Sequence, residues 1–524
     1  MELSHHFLLT IEYISSIIQV SEYVRIINGK AHGVSFVFYK RAKYRKVIKH
    51  MNKISLLINA KYMYTLQGEG VGFLADHTIA IDNGKILEIA PTADIKEKYE
   101  AERVIDAGNK VVMPGFIDAH MHITAGAQRG LAQDIGNWMM DGVGPFMEHR
   151  TIETDIAGAK LAVAEAIMNG TTTIGEDGFD PEAILPVIRD FGARVVFAVR
   201  VREALNRMYK PGELYEYNAE LGEKTLADAI AAVEKWHKKD NNLYSIRFAP
   251  QGADFVSKEM FVRIRELAQK YDTKMHLHLS QGDRETRQMM MRYGSRTIPW
   301  MIENGFLDEN VIGIHLTDAF DEEAAAAAKC GIGMVLCSGS IGIIDGIAPP
   351  VKAFQDAGGY AGLGSDQAPG NNCHNIINEM KLTALFNKLK FEDPEVMPAW
   401  KVLRMATIEG AKALGIDSYT GSLEAGKCAD MILVDFDQLS LAPIYTKPMR
   451  NFVPNLVYSA RGNEVDTVII NGKVVVENKR PLTFNVKAIL EEAQKAADYM
   501  AVEAEDTFWE VNGINAKYMK DDKL

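Results

Sequence analysis

The stretch Val111-Val-Met-Pro-Gly-Phe-Ile-Asp-Ala-His-Met-His122 joins a run of apolar residues to a pair of histidines. In an extended strand, residues two apart point to the same side, so His120 and His122 can bind one metal ion together. Imidazole nitrogen suits Zn²⁺ and also Fe²⁺, Mn²⁺ or Co²⁺. This stretch therefore predicts a strand that ends in one half of a metal site.

Seven further β-branched runs follow, and helical stretches separate many of them. With the first, the eight runs are 111–122, 171–177, 193–200, 244–251, 273–280, 311–317, 333–339 and 360–366. Eight strands that alternate with helices, such as those predicted at 225–238, 321–329 and 399–414, over roughly 270 residues match a (β/α)8 barrel. We therefore predict an α/β fold with a TIM-like (β/α)8 barrel.

Two similar hairpin signals flank the barrel. Residues 78–89 have strand-like runs on each side of Asn83-Gly84, and residues 467–477 repeat this pattern around Asn471-Gly472. Asn-Gly between strand-like runs favours a tight hairpin, because both residues tolerate positive φ. The similarity predicts that both ends of the chain contribute to one small β-domain, with two unrelated hairpins as the alternative.

Candidate ligands cluster at the ends of the predicted strands. His278 ends the fifth run, His315 lies late in the sixth, and Asp366 closes the eighth. Catalytic groups of such barrels project from these ends, and three or four ligands with an open position are typical of a catalytic metal site. His276 shares a face with His278 but lies deeper, so both a core position and a contact with the metal site stay open.

Several motifs together resemble those of the amidohydrolase superfamily. In order, they are Pro114-Gly-Phe-Ile-Asp-Ala-His-Met-His122, Gly170-Thr-Thr-Thr173, Gly364-Ser-Asp366 and Gly421-Ser-Leu-Glu-Ala-Gly-Lys-Cys-Ala-Asp430. Their order is most similar to the branch with S-adenosylhomocysteine/methylthioadenosine deaminases, guanine and cytosine deaminases and triazine chlorohydrolases. The resemblance covers about residues 53–478, and it implies a β-sandwich domain shared by both ends of the chain.

The resemblance also implies roles for individual residues. The ligands of one divalent metal ion, Zn²⁺ before Fe²⁺, Mn²⁺ or Co²⁺, would be His120, His122, His278 and Asp366. Asp366 would accept the proton of the attacking water, and His315 would bind the substrate or that water. From its position after the first strand, Trp138 is a further candidate for contact with an apolar substrate.

Gln281 departs from the pattern of the deaminases. In these relatives a glutamate follows the strand-five ligand after three residues and protonates a ring nitrogen, whereas His278-Leu-Ser-Gln281 places an amide there. An amide has no titratable proton at neutral pH. Either another acid, such as Glu176 or Glu285, replaces the glutamate, or the substrate needs no ring protonation. Branch members that act on phenylureas and thiocarbamates are broadly similar.

The sequence predicts a metal-dependent hydrolase that cleaves a non-peptide C–N bond of amide, urea or amidine type in a small nitrogen-rich molecule. Alternatives are deamination of an adenosine-type nucleoside or another amino-heterocycle, and dechlorination of a triazine. A non-catalytic scaffold protein with this fold would be expected to lose metal ligands, and all four are present.

Composition limits the partners and the compartment. The 524 residues include 58 Lys+Arg and 70 Asp+Glu, a net charge of −12, so the basic field of a nucleic-acid-binding protein is absent. Four cysteines without a CxxC pair fit a reducing cytoplasm, and no apolar run is long enough to predict a membrane span. We expect a small-molecule substrate, no nucleic-acid or membrane partner, and, from the resemblance, a homo-oligomer.

The predicted organisation has four parts. Residues 1–50 form an N-terminal extension, 51–112 and 420–480 the composite β-domain, 113–419 the barrel, and 481–524 a C-terminal helical segment. The extension ends in a basic cluster, Lys40, Arg41, Lys43, Arg45, Lys46 and Lys49. Its charge follows the apolar run, the reverse of a signal peptide, and the strand-like pattern begins at Met51, so translation from Met51 is a hypothesis.

Overall fold

The structure is a computed structural model that describes residues 51–205, 207, 209–210 and 212–524. The predicted N-terminal extension, residues 1–50, lies outside the described residues. The described chain forms two β-sheets surrounded by helices.

One of the two sheets is an eight-stranded parallel sheet. Each of the eight predicted runs overlaps one of its strands, which in chain order are Phe116–Met121, Thr171–Gly178, Arg194–Val201, Tyr244–Pro250, Met275–Leu279, Val311–His315, Gly333–Leu336 and Ala361–Leu363. A parallel bridge between Met121 and Asp366 joins the first strand to the end of the last. The predicted α/β fold with a (β/α)8 barrel is therefore confirmed.

The first predicted run is divided between the two sheets. Val111–Pro114 pairs in the second sheet, whereas the barrel strand begins at Phe116. Gly115 lies between them, and a Cβ added there would lie 2.1 Å from the Thr172 side chain. Since no larger residue fits at this close approach, the chain passes from one sheet to the other at a glycine.

The second sheet has nine strands from both ends of the described chain. They are Asn52–Tyr64, Phe73–Asp82, Lys85–Pro91, Tyr99–Asp106, Val111–Pro114, Met431–Val434, Val465–Ile470, Lys473–Glu477 and Arg480–Pro481. Both predicted hairpins form, with antiparallel pairs on each side of Asn83-Gly84 and Asn471-Gly472. Their turns meet, because a Cβ on Gly84 would lie 2.6 Å from Asn471 Oδ1.

Helices connect the barrel strands and cover the second sheet. Their bounds are Thr92–Lys98, Gly144–Met147, Ile152–Met168, Pro181–Phe191, Ala219–Trp236, Lys239–Asn242, Lys258–Lys270, Asp283–Tyr293, Thr297–Glu303, Asp321–Lys329, Ser338–Ile344, Val351–Asp356, Ala368–Asn371, Ile376–Phe391, Ala399–Met405, Ile408–Leu414, Phe452–Tyr458, Val486–Val511 and Gly513–Lys520. A 3₁₀ segment, Ile123–Gln128, and a π-helix, Trp138–Val143, follow the first barrel strand.

The predicted helix over 399–414 is interrupted. Ala406 leaves the helical hydrogen-bond pattern because its carbonyl accepts from the backbone N–H of Ile117 in the first barrel strand. Thr407 then adopts φ −135° and ψ −105°, which are not helical.

Among the described residues, no helix is long and apolar enough to cross a membrane. The limits of the four predicted parts of the chain stay a prediction.

Candidate metal centre and cavity

Four predicted site residues converge at the carboxyl ends of barrel strands one, five and eight. Oδ1 of Asp366 lies 3.3 Å from His122 Nε2 and 3.7 Å from His120 Nε2. The ring of His278 lies 5.0 Å from that of His120 and 5.5 Å from that of His122, centroid to centroid. The structure thus brings together the three histidines and the aspartate, which are far apart in sequence.

Hydrogen bonds hold the outer nitrogen of each of these rings. His122 Nδ1 lies 2.7 Å from the carbonyl oxygen of Asp177, and His278 Nδ1 lies 2.9 Å from that of Gln251. Arg200 Nη2 also lies 3.1 Å from His122 Nδ1. In the tautomer that donates from Nδ1 to the carbonyl, Nε2 of each ring keeps its lone pair for a metal ion.

His276 lies directly behind His120. Its Nε2 and His120 Nδ1 are 3.1 Å apart, and both rings are buried. The sequence left the role of His276 open. This contact places His276 where it can orient the ring of His120.

The cluster leaves polar atoms without partners. Among the described residues, His120 Nε2 and both ring nitrogens of His315 have no hydrogen-bond partner. Burial lowers the pKa of His122, His278 and His315 to about 3, so these rings are neutral at pH 7. Neutral imidazole is the form that binds metal, and buried polar atoms without partners are rare in proteins. This donor set therefore fits a divalent metal ion.

Asp366 is fixed by neighbouring groups. Its Oδ2 accepts a hydrogen bond from Ser340 Oγ at 2.6 Å, and its backbone N–H donates to the His120 carbonyl at 2.8 Å. Its φ of +60° lies in the left-handed region, where a residue other than glycine is strained. Burial raises the pKa of this carboxyl, although His122 and Ser340 act against it.

His315 lies beside the cluster, at the end of the sixth strand. Its ring is 5.3 Å from that of His120 and 5.4 Å from that of His278, and its φ is +73°. It groups with His120 and Asp366 as a possible ligand set. His315 is fully buried and does not line the cavity described below.

Asp177 is a carboxylate of the site that sequence reasoning missed. Its Oδ2 lies 3.6 Å from His278 Nδ1, and its Oδ1 accepts from Arg200 Nε at 2.8 Å. Burial alone would raise the pKa of Asp177, but Arg200 and the histidines outweigh it and hold the pKa below its usual range. Asp177 lies late in the second barrel strand and Arg200 late in the third, so the rule that located the histidines could have found both.

A cavity of about 370 Å³ opens at this end of the barrel. His122, His278 and Asp366 line it, together with the predicted substrate-binding residues Trp138 and Gln281. One part of its wall is apolar and includes Met139, Met140 and Met147; another part holds arginines beside aromatic rings, with Arg200, Arg202, Arg207, Arg284, Phe179, Tyr209, Tyr215 and Phe255.

The two acids considered as substitutes for a glutamate at position 281 do not line this cavity. Glu285 accepts from the backbone N–H groups of Ser280 and Gln281, at 2.9 and 2.8 Å. Glu176 is fully buried and accepts from the Ile123 backbone N–H at 2.8 Å. Both carboxyls accept from backbone N–H groups that follow barrel strands, and neither reaches the cavity.

An eight-stranded parallel barrel with histidines and an aspartate at its strand ends defines a metal-dependent enzyme of the TIM-barrel class. Residues 111–475 match the model of the Amidohydrolase family. The chain belongs to this family.

Two curated relatives align with this chain over nearly their whole length. The chain is 31% identical over 453 residues to a 5′-deoxyadenosine deaminase of Methanosarcina mazei, covering 84% of this chain and 98% of the relative. It is 30% identical over 423 residues to a 5-methylthioadenosine/S-adenosylhomocysteine deaminase of Moorella thermoacetica, covering 80% and 94%.

Solved structures agree on the fold. An adenosine deaminase from Xanthomonas campestris with bound zinc has a TM-score of 0.78 at 26% identity, covering 86% of this chain and all of that one. An atrazine chlorohydrolase from Arthrobacter aurescens with zinc has a TM-score of 0.74 at 21% identity, covering 84% and 100%. The predicted superfamily is confirmed, as is the prediction of a hydrolase that acts on C–N bonds other than peptide bonds.

Proposed function

We propose that this protein is a zinc-dependent hydrolase that cleaves a C–N bond at an amide, urea or amidine carbon of a small nitrogen-rich molecule. The observation that carries this choice is Gln281, an amide side chain in the lining of the cavity. A carbonyl substrate needs a hydrogen-bond donor at its oxygen, which an amide N–H supplies, and needs no ring protonation.

The proposed zinc ligands are His120, His122, His278 and Asp366. Neutral imidazoles and a carboxylate suit Zn²⁺, and the Nε2 atoms of His120 and His122 face the same carboxylate oxygen. When bound, such an ion lowers the pKa of a coordinated water to about 7 and so supplies a nucleophile at neutral pH.

Asp366 is the proposed proton carrier. Its Oδ1 faces His120 and His122, so Oδ2, which also accepts from Ser340 Oγ, is the oxygen left to take the proton of the attacking water. The same atom can pass this proton to the leaving nitrogen, which departs as an amine or ammonia.

Two other side chains would position the substrate. Gln281 Oε1 lies 3.4 Å from Arg284 Nη2, which leaves its amide N–H groups to donate to the substrate. Trp138 contributes an apolar surface to the same cavity. His315 does not line the cavity but groups with His120 and Asp366, so it would bind the attacking water through one of its unpartnered ring nitrogens.

Deamination of an adenosine-type nucleoside is the second candidate. It is supported by the relatives named as deaminases, which match over 94–98% of their own length. It requires a proton donor for the ring nitrogen, and Gln281 is not one.

A panel assay on zinc-loaded protein tests the proposal. We expect more amine release from aryl ureas and amides than ammonia release from adenosine-type nucleosides, aminotriazines and pterins, or chloride release from chlorotriazines. Activity should disappear on chelation and return with zinc. Rapid deamination of a nucleoside, with no turnover of ureas or amides, would contradict the first candidate.

The variant Gln281→Glu separates the two candidates further. A carboxyl at this position can protonate a ring nitrogen, so deaminase side activity should rise about tenfold or more. Gln281→Leu, which has neither donor nor proton, is the matched control and should not raise it. If Gln281→Glu leaves every activity unchanged, residue 281 does not contact the substrate.

The compartment and the assembly stay part of the proposal. A cytoplasmic homo-oligomer is consistent with four free cysteines and with the family resemblance. Light scattering on the purified protein measures its mass in solution, and a monomer would contradict the assembly.

A further inference from the structure

The arginines that line the cavity differ in their partners. Four of the five are paired with a carboxylate: Arg150 with Asp155, Arg200 with Asp177, Arg207 with Glu213, and Arg284 with Asp254. Arg202 is the fifth, and among the described residues it has no salt-bridge partner.

The side chain of Arg202 is held in place without being neutralised. Its Nε donates to the carbonyl of Ala204 at 2.8 Å, and its guanidinium lies 5.5 Å from the centre of the Phe255 ring. Among the described residues, its two terminal nitrogens have no hydrogen-bond acceptor. They therefore remain available to a ligand in the cavity.

The surroundings make this charge costly. Burial, together with the charge of Arg200, lowers the pKa of Arg202 to about 10. Arg202 is partly buried. A charge withdrawn from water is normally paired, and a purely structural arginine at this position would be expected to have a carboxylate beside it, as the other four arginines do. The missing partner is best supplied by the ligand.

We propose that Arg202 binds an anionic group, a carboxylate or a phosphate, on the substrate of the hydrolase. This inference rests on the proposed function and names its substrate class: a planar amide or urea with an acidic substituent. The planar part of the substrate would contact Trp138 and the methionines of the apolar wall. Its acidic group would form a bidentate hydrogen bond with the guanidinium of Arg202.

The test compares two aryl ureas that have the same single cleavable group and differ in the charge of the para substituent. Zinc-loaded protein is given 4-ureidobenzoate or a neutral counterpart, 4-acetylphenylurea, and kcat and KM are measured for each. A charge-assisted hydrogen bond in a cavity gives a preference of about 10- to 100-fold. We expect the acid to be preferred by this factor, mainly through a lower KM.

Arg202→Met removes the charge while keeping an unbranched side chain against Phe255, and it should abolish the preference by raising KM for the acid about 10- to 100-fold. The matched control is Arg263→Met, because Arg263 is an exposed arginine paired with Glu223. It should keep the preference. Equal use of both ureas by the parent protein, or a preference unchanged in Arg202→Met, would overturn the proposal.

A binding measurement separates this inference from the proposed reaction. If neither urea is hydrolysed, the protein does not catalyse the proposed reaction on these two compounds. Titration calorimetry with 4-ureidobenzoate then still measures whether Arg202 binds the carboxylate. Binding that Arg202→Met weakens at least tenfold supports the anion site, and binding that is absent or unaffected overturns it.

Discussion

Two clusters of buried titratable side chains lie at opposite ends of the barrel strands. At the start of the third strand, Arg194 donates to Asp430 through Nε at 2.6 Å and Nη2 at 3.1 Å, and to the Asn242 carbonyl at 2.6 Å. Asp430 also accepts from Thr420 Oγ1 and the Asn471 backbone, at 2.7 and 2.8 Å. Every charged atom of this pair has a partner within the chain.

The histidine cluster at the carboxyl ends is equally buried but has fewer partners. His120 Nε2 and both nitrogens of His315 lack partners among the described residues, although both side chains are inaccessible to solvent. Burial of a polar group is costly unless it is paired. A buried cluster with its partners in place therefore stabilises the fold, whereas one without them is completed by a ligand.

Asp366→Asn should have the largest effect and should affect activity only. The amide cannot accept the proton of the attacking water, so turnover should fall about 10³- to 10⁴-fold. The midpoint of chemical unfolding of the metal-free protein should change little, because Asn has the size of Asp and its side-chain oxygen can still accept from Ser340 Oγ. Steady-state kinetics and denaturation of the same preparation measure both quantities.

An exposed aspartate on a helix provides the control for this variant. Asp356, paired with Lys352, should tolerate replacement by Asn with activity unchanged. Parent-like turnover of Asp366→Asn would remove the distinction between the two clusters.

Asp430→Asn should show the reverse pattern. It leaves the Arg194 guanidinium buried without a counter-charge, which typically costs about 3–5 kcal/mol of unfolding free energy. The protein that remains folded should bind one zinc ion and turn over substrate as before. Denaturation curves and metal analysis check the two halves of this expectation.

Asp190→Asn is its matched control, because Asp190 is an exposed partner of Arg189 and exposed pairs contribute at most about 1 kcal/mol. If Asp430→Asn instead lost its metal while keeping its stability, the two clusters would not be independent.

The smallest expected effect concerns His237, a histidine with partners at both ring nitrogens. Nδ1 accepts from the Ile246 backbone N–H at 3.0 Å, and Nε2 lies 3.4 Å from the Asp272 carbonyl. Burial lowers the pKa of His237 to about 4, below about 6.5 in the unfolded chain. The unfolded state therefore binds more protons between these values, and the stability from neutral His237 is lost as pH falls from 6.5 to 4.

Because His237 is partly exposed, we expect a loss of about 1 kcal/mol between pH 7 and pH 5. Unfolding curves of the parent protein and of His237→Asn, whose side chain keeps an acceptor but does not titrate, should differ in pH dependence by this amount. Parallel curves would mean that His237 titrates normally.

His237 also shows how local pattern can mislead. Its position in Lys235-Trp-His-Lys-Lys239 indicates a solvated helix face, yet the helix ends at Trp236 and the imidazole bonds to a barrel strand. The hydrogen bond between His237 and Ile246 joins residues nine positions apart in the chain. Such a contact does not follow the spacing of a helix or a strand, so the charged residues around His237 could not predict it.

The sequence was sufficient for the barrel and for the convergence of its histidines. Strand ends of a parallel barrel meet at one face, so the positions of His120, His122, His278 and Asp366 follow from the eight runs. Arg202 could not be found in this way, because an unpaired charge is a property of three-dimensional neighbours. The break at Thr407 was also hidden, since the Ala406 carbonyl bonds to a strand far away in sequence.

The last barrel strand, Ala361–Leu363, is only three residues long, and the ring of strands closes beside the histidine cluster. There, His122 N–H donates to the Asp366 carbonyl and Asp366 N–H to the His120 carbonyl. We call this junction of the first and eighth strands the seam. A metal ion bound by the residues that end both strands would hold the seam together. Loss of the ion would therefore loosen the joint between the first and eighth strands, and backbone amides at the seam would exchange faster with solvent than those elsewhere in the ring.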